Sequence, residues 1–225
     1  MKKLMLIMFM MVSTVYANDI YVTQSGATLD LDILQDGQNN TIGSSTTSSS
    51  VIGATTNFDI KQVGNSNVIT FDINGANYTG TWAITGNSNN IDFNCDSGGS
   101  NSSCGTATAN ITWTGSSQDI DLDIGETSSA TGATVNITGA SGSDSNVIAA
   151  SIDGTSVILT LSVNGDTNNY LIDIDGNGDV NGHTLIHSHT GGIADVDITQ
   201  SGVYDNMLNL TTSGDNHDID IIQRD

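Results

Sequence analysis

The sequence predicts an all-β fold, a β-solenoid of short strand–turn–strand–turn repeats with about 22 residues in each lap. Three observations lead to this prediction. Gly64, Gly75 and Gly86 fall 11 residues apart. Between them apolar and polar residues alternate strictly, which is the pattern of a half-buried strand. Clusters of Gly and Asn separate the alternating runs, as turns do.

The clearest repeat units lie between Phe58 and Phe93. Their alternating runs are Phe58-x-Ile60, Ile69-x-Phe71-x-Ile73, Trp82-x-Ile84 and Ile91-x-Phe93. Because successive side chains of a strand point to opposite faces, each run places its apolar residues on one side. One unit therefore predicts one strand with its turn, and two units predict one lap.

The composition agrees with many short strands joined by turns. Of the 225 residues only 13% are charged, 25 are Gly and none is Pro. A stacked sheet in which every strand needs its backbone N–H has no place for Pro. Acidic residues are almost all Asp, a turn residue, and Glu126 is the single Glu. Little of the chain is expected to be helical.

The first 17 residues follow the pattern of a secretory signal peptide. Lys2 and Lys3 precede the apolar run Leu4–Val12, which is too short to span a bilayer, and a cleavage-like Val15-Tyr16-Ala17 follows. We therefore expect a signal peptide at 1–17, a single solenoid domain at 18–225, no membrane span, and an extracellular or cell-surface location.

The net charge narrows the range of partners. The chain has a formal charge of -21 at pH 7 and only four Lys and Arg. Nucleic acids and anionic membranes are therefore not expected partners. The same charge keeps copies of the chain apart at low salt, so self-assembly should depend on salt or divalent cations. No nucleophile–base motif stands out from the abundant Asp, and we expect neither an enzyme nor a required cofactor.

Two segments interrupt the period. Gly43–Ser50 is rich in Ser and Thr and is expected to form an exposed loop. Cys95 and Cys104 flank a run of Gly, Ser and Asn. In a secreted chain with two cysteines, one intramolecular disulfide that closes this loop is the default expectation. The loop-entropy relation gives it a stabilisation of roughly 2–3 kcal/mol.

A short motif recurs near the turns. The ranges 35–40 and 62–67 both fit Q-x-G-x-x-N, and Gln24 and Gln200 begin the Q-x-G half. In these residues the chain resembles the curlin repeat family, the subunits of bacterial curli fibres. The resemblance is greatest at 19–42, 57–90 and 197–223. It implies an extracellular β-solenoid that assembles with itself.

The resemblance and the open ends of a solenoid lead to an expected role. We expect a secreted structural subunit that stacks head-to-tail on its own copies in an extracellular fibre, with a nucleator or surface anchor as a further candidate partner. The alternative is a monomeric surface adhesin or carbohydrate-binding solenoid. Such a binding solenoid needs a flat face with regular Thr or aromatic rows. Tyr78, Trp82 and Trp113 are the candidate platform, unless they pack in the core.

Amide side chains near the corners are the candidate assembly residues. In stacked laps, equivalent Gln or Asn side chains can form a ladder along the axis. For the Gln residues we favour this ladder, whereas for the Asn residues we favour turn chemistry, since Asn tolerates left-handed positions. The candidates are Gln24, Gln35, Asn40, Gln62, Asn67, Gln200 and Asn206.

A candidate calcium site begins at Asp173. Asp173, Asp175, Asn177 and Asp179 follow the first half of an EF-hand-type loop, in which oxygens at alternate positions converge on one cation. Thr184 stands where a bidentate Glu is expected. The alternative is therefore an outward Asp pair followed by a turn. Calcium is the one cofactor that the sequence brings into consideration.

Three histidines form a second group of metal-binding side chains. His183, His187 and His189 follow one another within seven residues, and two or three imidazoles can bind a transition metal. Because no Cys or carboxylate lies close by in the sequence, we expect a solvated polar segment here instead of a site.

Overall fold

The computed structural model describes residues 19–44, 46–75, 77–95, 104–125, 130, 132–140, 142, 144–175, 183–202 and 206–224. These residues form strands and turns and contain no helix, so none of them forms a helix that could cross a membrane. The predicted β-solenoid is confirmed, with about 7 turns of stacked coils. The expected signal peptide lies outside the described residues.

Seventeen strands follow one another along the chain. They are β1 (Asp19–Ile20), β2 (Thr23–Asp36), β3 (Thr41–Ile42), β4 (Ser49–Val63), β5 (Val68–Gly75), β6 (Asn77–Thr85), β7 (Asn90–Cys95), β8 (Thr106–Thr114), β9 (Asp119–Ile124), β10 (Gly132–Gly139), β11 (Val147–Asp153), β12 (Val157–Asn164), β13 (Asn168–Asp175), β14 (Thr184–Thr190), β15 (Ala194–Ser201), β16 (Met207–Ser213) and β17 (His217–Arg224).

The strands form two parallel stacks on opposite sides of a narrow core. Stack A contains residues 28–36 of β2, residues 55–63 of β4, and then β6, β8, β10, β12, β14 and β16. Stack B contains β1, β3, the odd-numbered strands from β5 to β17, and residues 23–26 and 49–53. Each strand pairs with its equivalent one lap later, so the chain alternates between the stacks.

The laps are longer and more variable than the 22 residues that the glycine spacing predicts. The mean spacing is about 26 residues. Val68 pairs with Asn90, which keeps the predicted period, but Asn90 pairs with Asp119. The additional residues of that longer lap lie largely in the segment between Cys95 and Cys104, so insertions at corners leave the strand register intact.

The Ser/Thr-rich segment interrupts a strand of stack B. The chain leaves the stack after β3, Ser44 and Thr47 form an isolated antiparallel bridge, and β4 begins at Ser49. Residues 49–53 then pair with residues 71–75 of β5, whereas β3 pairs with residues 68–69. The predicted loop therefore ends before Ser49 and Ser50, which belong to β4.

Cys95 and Cys104 form a disulfide between the end of β7 and the beginning of β8. Their Cα atoms lie 5.4 Å apart, and both cysteines are buried. The bond closes the corner at one of the longest laps. The residues between 96 and 103 lie outside the described part of the chain.

The core is built from the inward side chains of both stacks. In β13 buried and exposed residues alternate along the whole strand, as expected for a strand with one face in the core. Ile, Leu and Val fill most laps, whereas aromatic rings fill the central ones. Phe71 packs against Phe58 and Trp82, and Phe93 packs against Tyr78 and Trp82.

Candidate self-assembly site

One corner of the solenoid contains a continuous ladder of amide side chains. Its members all occupy the same position in successive laps, and all are buried. They are Asn40, Asn67, Asn89, Gln118, Asn146 and Asn168. Each lap donates a hydrogen bond to the side-chain oxygen of the next, at 2.9–3.1 Å. The donor is the backbone N–H in four of these five hydrogen bonds and the Nδ2 of Asn89 in the fifth. The Nδ2 groups of Asn67, Asn89 and Asn168 also donate to carbonyl oxygens within their own turns.

The backbone of this corner requires glycine at the turn. Gly64 has φ +141°, and a Cβ added to it would lie 1.4 Å from the carbonyl oxygen of Gly37 in the preceding lap. Two residues later, Ser66 has φ 58°, a left-handed conformation. This geometry places the side chain of Asn67 in the corner. There its amide group forms hydrogen bonds with the carbonyl of Gly64 and with the backbone N–H of Asn40.

The predicted Gln residues do not form one ladder, because Gln35 and Gln62 lie in stack A whereas Gln24 and Gln200 lie in stack B. The Nε2 of Gln62 donates to the Oε1 of Gln35 at 2.7 Å in stack A. The Nε2 of Gln223 donates to the Oε1 of Gln200 at 2.9 Å in stack B. The next register partners of Gln62 in stack A are Ile84 and Trp113, and the preceding partners of Gln200 in stack B are Ile174 and Ile152. The sequence therefore pointed to amide stacking, but the longest ladder is the one at the Asn corner.

Two other predicted residues lie outside both ladders. Gln24 is half-buried in the first lap of stack B, in register with Val51. Asn206 lies at a different corner, where its Oδ1 accepts a hydrogen bond from the backbone N–H of His183 at 3.2 Å. Among the predicted Asn residues, only Asn40 and Asn67 belong to the corner ladder.

The last described strand, β17, presents core residues to solvent. Ile219 and Ile221 of β17 are 36% and 45% exposed, whereas their register partners Val196 and Ile198 in β15 are 0% and 2% exposed. Within the described residues β17 pairs with β15 alone, so its other edge has unpaired backbone groups. An unpaired edge of this kind is a template for another strand.

The first described lap has a matching edge. Residues 19–20 pair with β3 and residues 23–26 pair with β4, and no described strand lies on their outer side. Ile20 and Val22 are partly buried against the core. The first and last described strands of stack B therefore continue the interior pattern instead of closing it.

The calcium prediction falls partly outside the described residues. Asn177 and Asp179 lie in the range 176–182, whose structure is not described. Asp173 and Asp175 point outward from β13, and the Oγ of Ser201 donates to the Oδ1 of Asp175 at 3.1 Å. In the described part of the chain, no group of three or more His, Cys, Asp or Glu residues is arranged to hold a metal.

The histidines lie in the core and are not solvated as the sequence suggested. His183, His187 and His189 are all buried. The ring of His187 packs edge-on against Tyr170, with centroids 4.4 Å apart, and the Nδ1 of His189 lies 3.0 Å from the Tyr170 hydroxyl. Burial, and then the neighbouring His189, lower the pKa of His187 to about 4. These side chains therefore pack as neutral aromatic rings.

The candidate glycan platform is also internal. Tyr78, Trp82 and Trp113 are buried among the largest side chains of the core. None of the three is available to stack on a sugar ring at the surface. Their contribution is to fill the central laps.

The outward faces of the two stacks differ in charge. The outward positions of stack B carry Asp in most laps, including Asp92, Asp121, Asp173, Asp197 and Asp220. Burial raises the pKa of Asp92, and the carboxylates of Asp121 and Asp72 raise it further. By contrast, the six strands of stack A from β6 to β16 contain no Asp, Glu, Lys or Arg.

No protein-family model matches the chain, and neither the curated proteins nor the solved structures provide a match.

Proposed function

We propose that the protein is a structural subunit that stacks head-to-tail on its own copies to form a filament outside the cell. The observation that carries this proposal is the open end at β17, where Ile219 and Ile221 occupy core positions but face solvent. The extracellular location follows from the signal peptide that the sequence predicts at 1–17. Removal of that segment would leave the first strand of stack B free to receive another copy.

The register supports a specific junction. If the columns of stack B continue into the next copy, Ile219 lies on Ile20 and Ile221 lies on Val22 of that copy, so apolar side chains meet apolar side chains. Gln223 then lies on Gln24. That contact would extend the Gln200–Gln223 pair by a third amide, as in the ladders of stacked β-sheets.

The junction also contains a repulsive contact. In the same register Asp218 lies on Asp19, and each chain is strongly acidic, with 25 Asp and Glu residues. Because salt screens charges that are exposed to solvent, stacking should be slow at low ionic strength and faster at high ionic strength. The hydrophobic and backbone contacts of the junction do not share this dependence.

Two variants of neighbouring residues test the proposal. Ile221→Asp places a carboxylate in the core column at the open end, and Ile222→Asp places the same group one residue later. Ile222 is equally exposed, at 44%, but its register partners are on the outward face. Purified protein that begins at Asn18 would be incubated with salt and followed by light scattering and negative-stain electron microscopy.

We expect filaments from the unsubstituted protein and from Ile222→Asp, and none from Ile221→Asp. Both substituted residues are exposed, so both variants should fold, which circular dichroism would check. Short rods without filaments from the unsubstituted protein at high concentration and high salt would refute the proposal. Equal filament formation by both variants would refute the junction.

A further inference from the structure

The outward face of stack A has no charge over six consecutive strands, β6 to β16. Its outward side chains are mostly Thr, with some Asn and Ser and the apolar Ile158, Ile186 and Met207. Exposed Thr138 and Ser162 are register partners near its centre. In a chain with 25 acidic residues, this absence of charge singles the face out as a surface that an equally acidic copy can approach.

Electrostatics favours this face over stack B for contact between copies. If two copies met through stack B, rows of Asp would lie about 10 Å apart, the spacing of packed sheets. If they met through stack A, two solenoid cores and the new interface would separate the Asp rows by about 30 Å. Since the Debye length is about 8 Å at physiological ionic strength, the repulsion is screened far more completely over about 30 Å than over about 10 Å.

The area is sufficient for a specific contact. Six strands at a spacing of about 4.8 Å, each about 25 Å long, give a face of about 700 Å². A standard interface buries about 800 Å² on each partner. Sheets with short polar side chains and low charge can interdigitate face to face, as in steric zippers. The exposed Ile158 adds apolar area near the centre.

The charged end of stack A selects the relative direction of the two copies. Asp32, Asp59 and Lys61 lie in β2 and β4, beyond the uncharged strands. A parallel pair would place Asp32 and Asp59 against the same residues of the partner. An antiparallel pair with β6 opposite β16 leaves these residues outside the contact and places β10 opposite β12.

We propose that the uncharged face of stack A binds a second copy of this chain, with the two solenoids side by side and antiparallel. This lateral contact is separate from the end-to-end junction. It joins the sides of two solenoids, so it can form whether or not filaments do.

The test uses a chain whose open end is blocked by Ile221→Asp. Lysines are then introduced on the outward face of stack A in one variant and of stack B in the other. The first variant adds Thr138→Lys and Ser162→Lys to the centre of the uncharged face. The control adds Ala149→Lys and Leu171→Lys, which are register partners on the outward face of stack B at a similar height. Sedimentation equilibrium would give the dissociation constant of the dimer formed by the end-blocked chain and by each of the two variants.

We expect a concentration-dependent dimer from the end-blocked chain and from the control. The dissociation constant of the Thr138/Ser162 variant should be at least tenfold higher, even though both variants reduce the net negative charge by the same amount. An end-blocked chain that stays monomeric into the millimolar range would overturn the proposal and leave the face to a neutral polysaccharide or an ice surface. An equal effect of both variants would overturn it as well.

The two proposals can fail independently. Filaments one solenoid wide, with no dimer of the end-blocked chain, would retain the end-to-end junction and exclude the lateral contact. A dimer of the end-blocked chain, without filaments of the unsubstituted protein, would do the reverse.

Discussion

At the position that Trp82 fills in stack A, later laps place Ile111, Ile137, Leu161 and then His187. All five side chains are buried. The central laps are therefore filled by aromatic and aliphatic groups, whereas the C-terminal laps combine imidazoles with aliphatic groups such as Leu185 and Ile198. The backbone register is the same in both regions, and only the chemistry of the interior differs.

This difference separates two properties of the core. Packing depends on volume, which Trp and His both supply. The response to pH depends on whether the group can be charged, and all four histidines of the chain, His183, His187, His189 and His217, lie in the last laps. Among the described residues both ring nitrogens of His187 lack a hydrogen-bond partner. A single fold can therefore combine a core that is insensitive to pH with an end that is sensitive to it.

The largest expected effect comes from removing the packing of the central laps. Trp82→Ala should lower the free energy of unfolding by about 3–5 kcal/mol, the range for deletion of a buried large ring. The ring contacts Phe71 and Phe93, which lie in neighbouring laps, so the cavity would disturb both. Chemical denaturation followed by circular dichroism would measure the loss.

Trp82→Phe is the matched control for this substitution. It keeps a ring in the core and should cost less than half as much. An equal loss for both variants would show that the indole itself, and not the filled volume, stabilises these laps.

The next effect distinguishes the two regions by pH. The pKa of His187 is lowered from 6.5 to about 4, so the unfolded chain binds a proton more readily than the folded one. Above pH 6.5 the ionisation of His187 therefore does not reduce the free energy of unfolding. As the pH falls from 6.5 toward 4, the free energy of unfolding decreases. By pH 5 the loss from this one group should be about 2 kcal/mol. Burial also lowers the pKa of His183 and His189.

His187→Leu should remove most of this loss, because its register neighbours Leu161 and Leu210 show that Leu fits the position. Hydrogen exchange between pH 7 and 5, corrected for intrinsic rates, would locate the effect. Protection should fall in β14 to β17 of the unsubstituted protein and fall less in the variant, which keeps His183 and His189. Uniform loss along the chain, or equal loss in both proteins, would contradict the assignment.

The sequence was sufficient to predict the strands, but not to predict which residues of successive laps stack on one another. Strict alternation placed Ile91 and Phe93 correctly on the core side. For the Asn residues of the corner ladder the sequence favours turn chemistry, because laps of unequal length hide which residues stack. Asn67 and Asn89 are 22 residues apart, but Asn89 and Gln118 are 29 residues apart. Only the register of the strands reveals that they share a corner.

The histidines show a limit of a different kind. Leu185-x-His187-x-His189 has the alternation of a strand, which predicts that these three side chains face the core. The polarity of His favoured a solvated segment, yet a neutral imidazole packs against Tyr170 as an aromatic ring does. The periodicity was the better guide here than the residue type.

The smallest expected effect concerns the Asp face and separates its acid response from that of the core. Asp92 and Asp121 are register partners, and the pKa of each is raised, by burial first and then by neighbouring carboxylates. A raised carboxyl pKa means that stability increases as the pH falls through it, the opposite of the histidine effect. Asp121→Asn should raise stability by a few tenths of a kcal/mol, as expected when like charges on paired strands are separated.

Thermal melts of this variant in about 10 mM and about 1 M NaCl would test the cause, because salt screens the repulsion. The gain should disappear at high salt, and Asp119→Asn should give a smaller gain, since Asp119 already accepts a hydrogen bond from Asn90 at 3.3 Å. The loss of protection in β14 to β17 at pH 5 should be unchanged by Asp121→Asn. If it were reduced, the acid sensitivity of the C-terminal laps would originate on the surface and not in the histidine core.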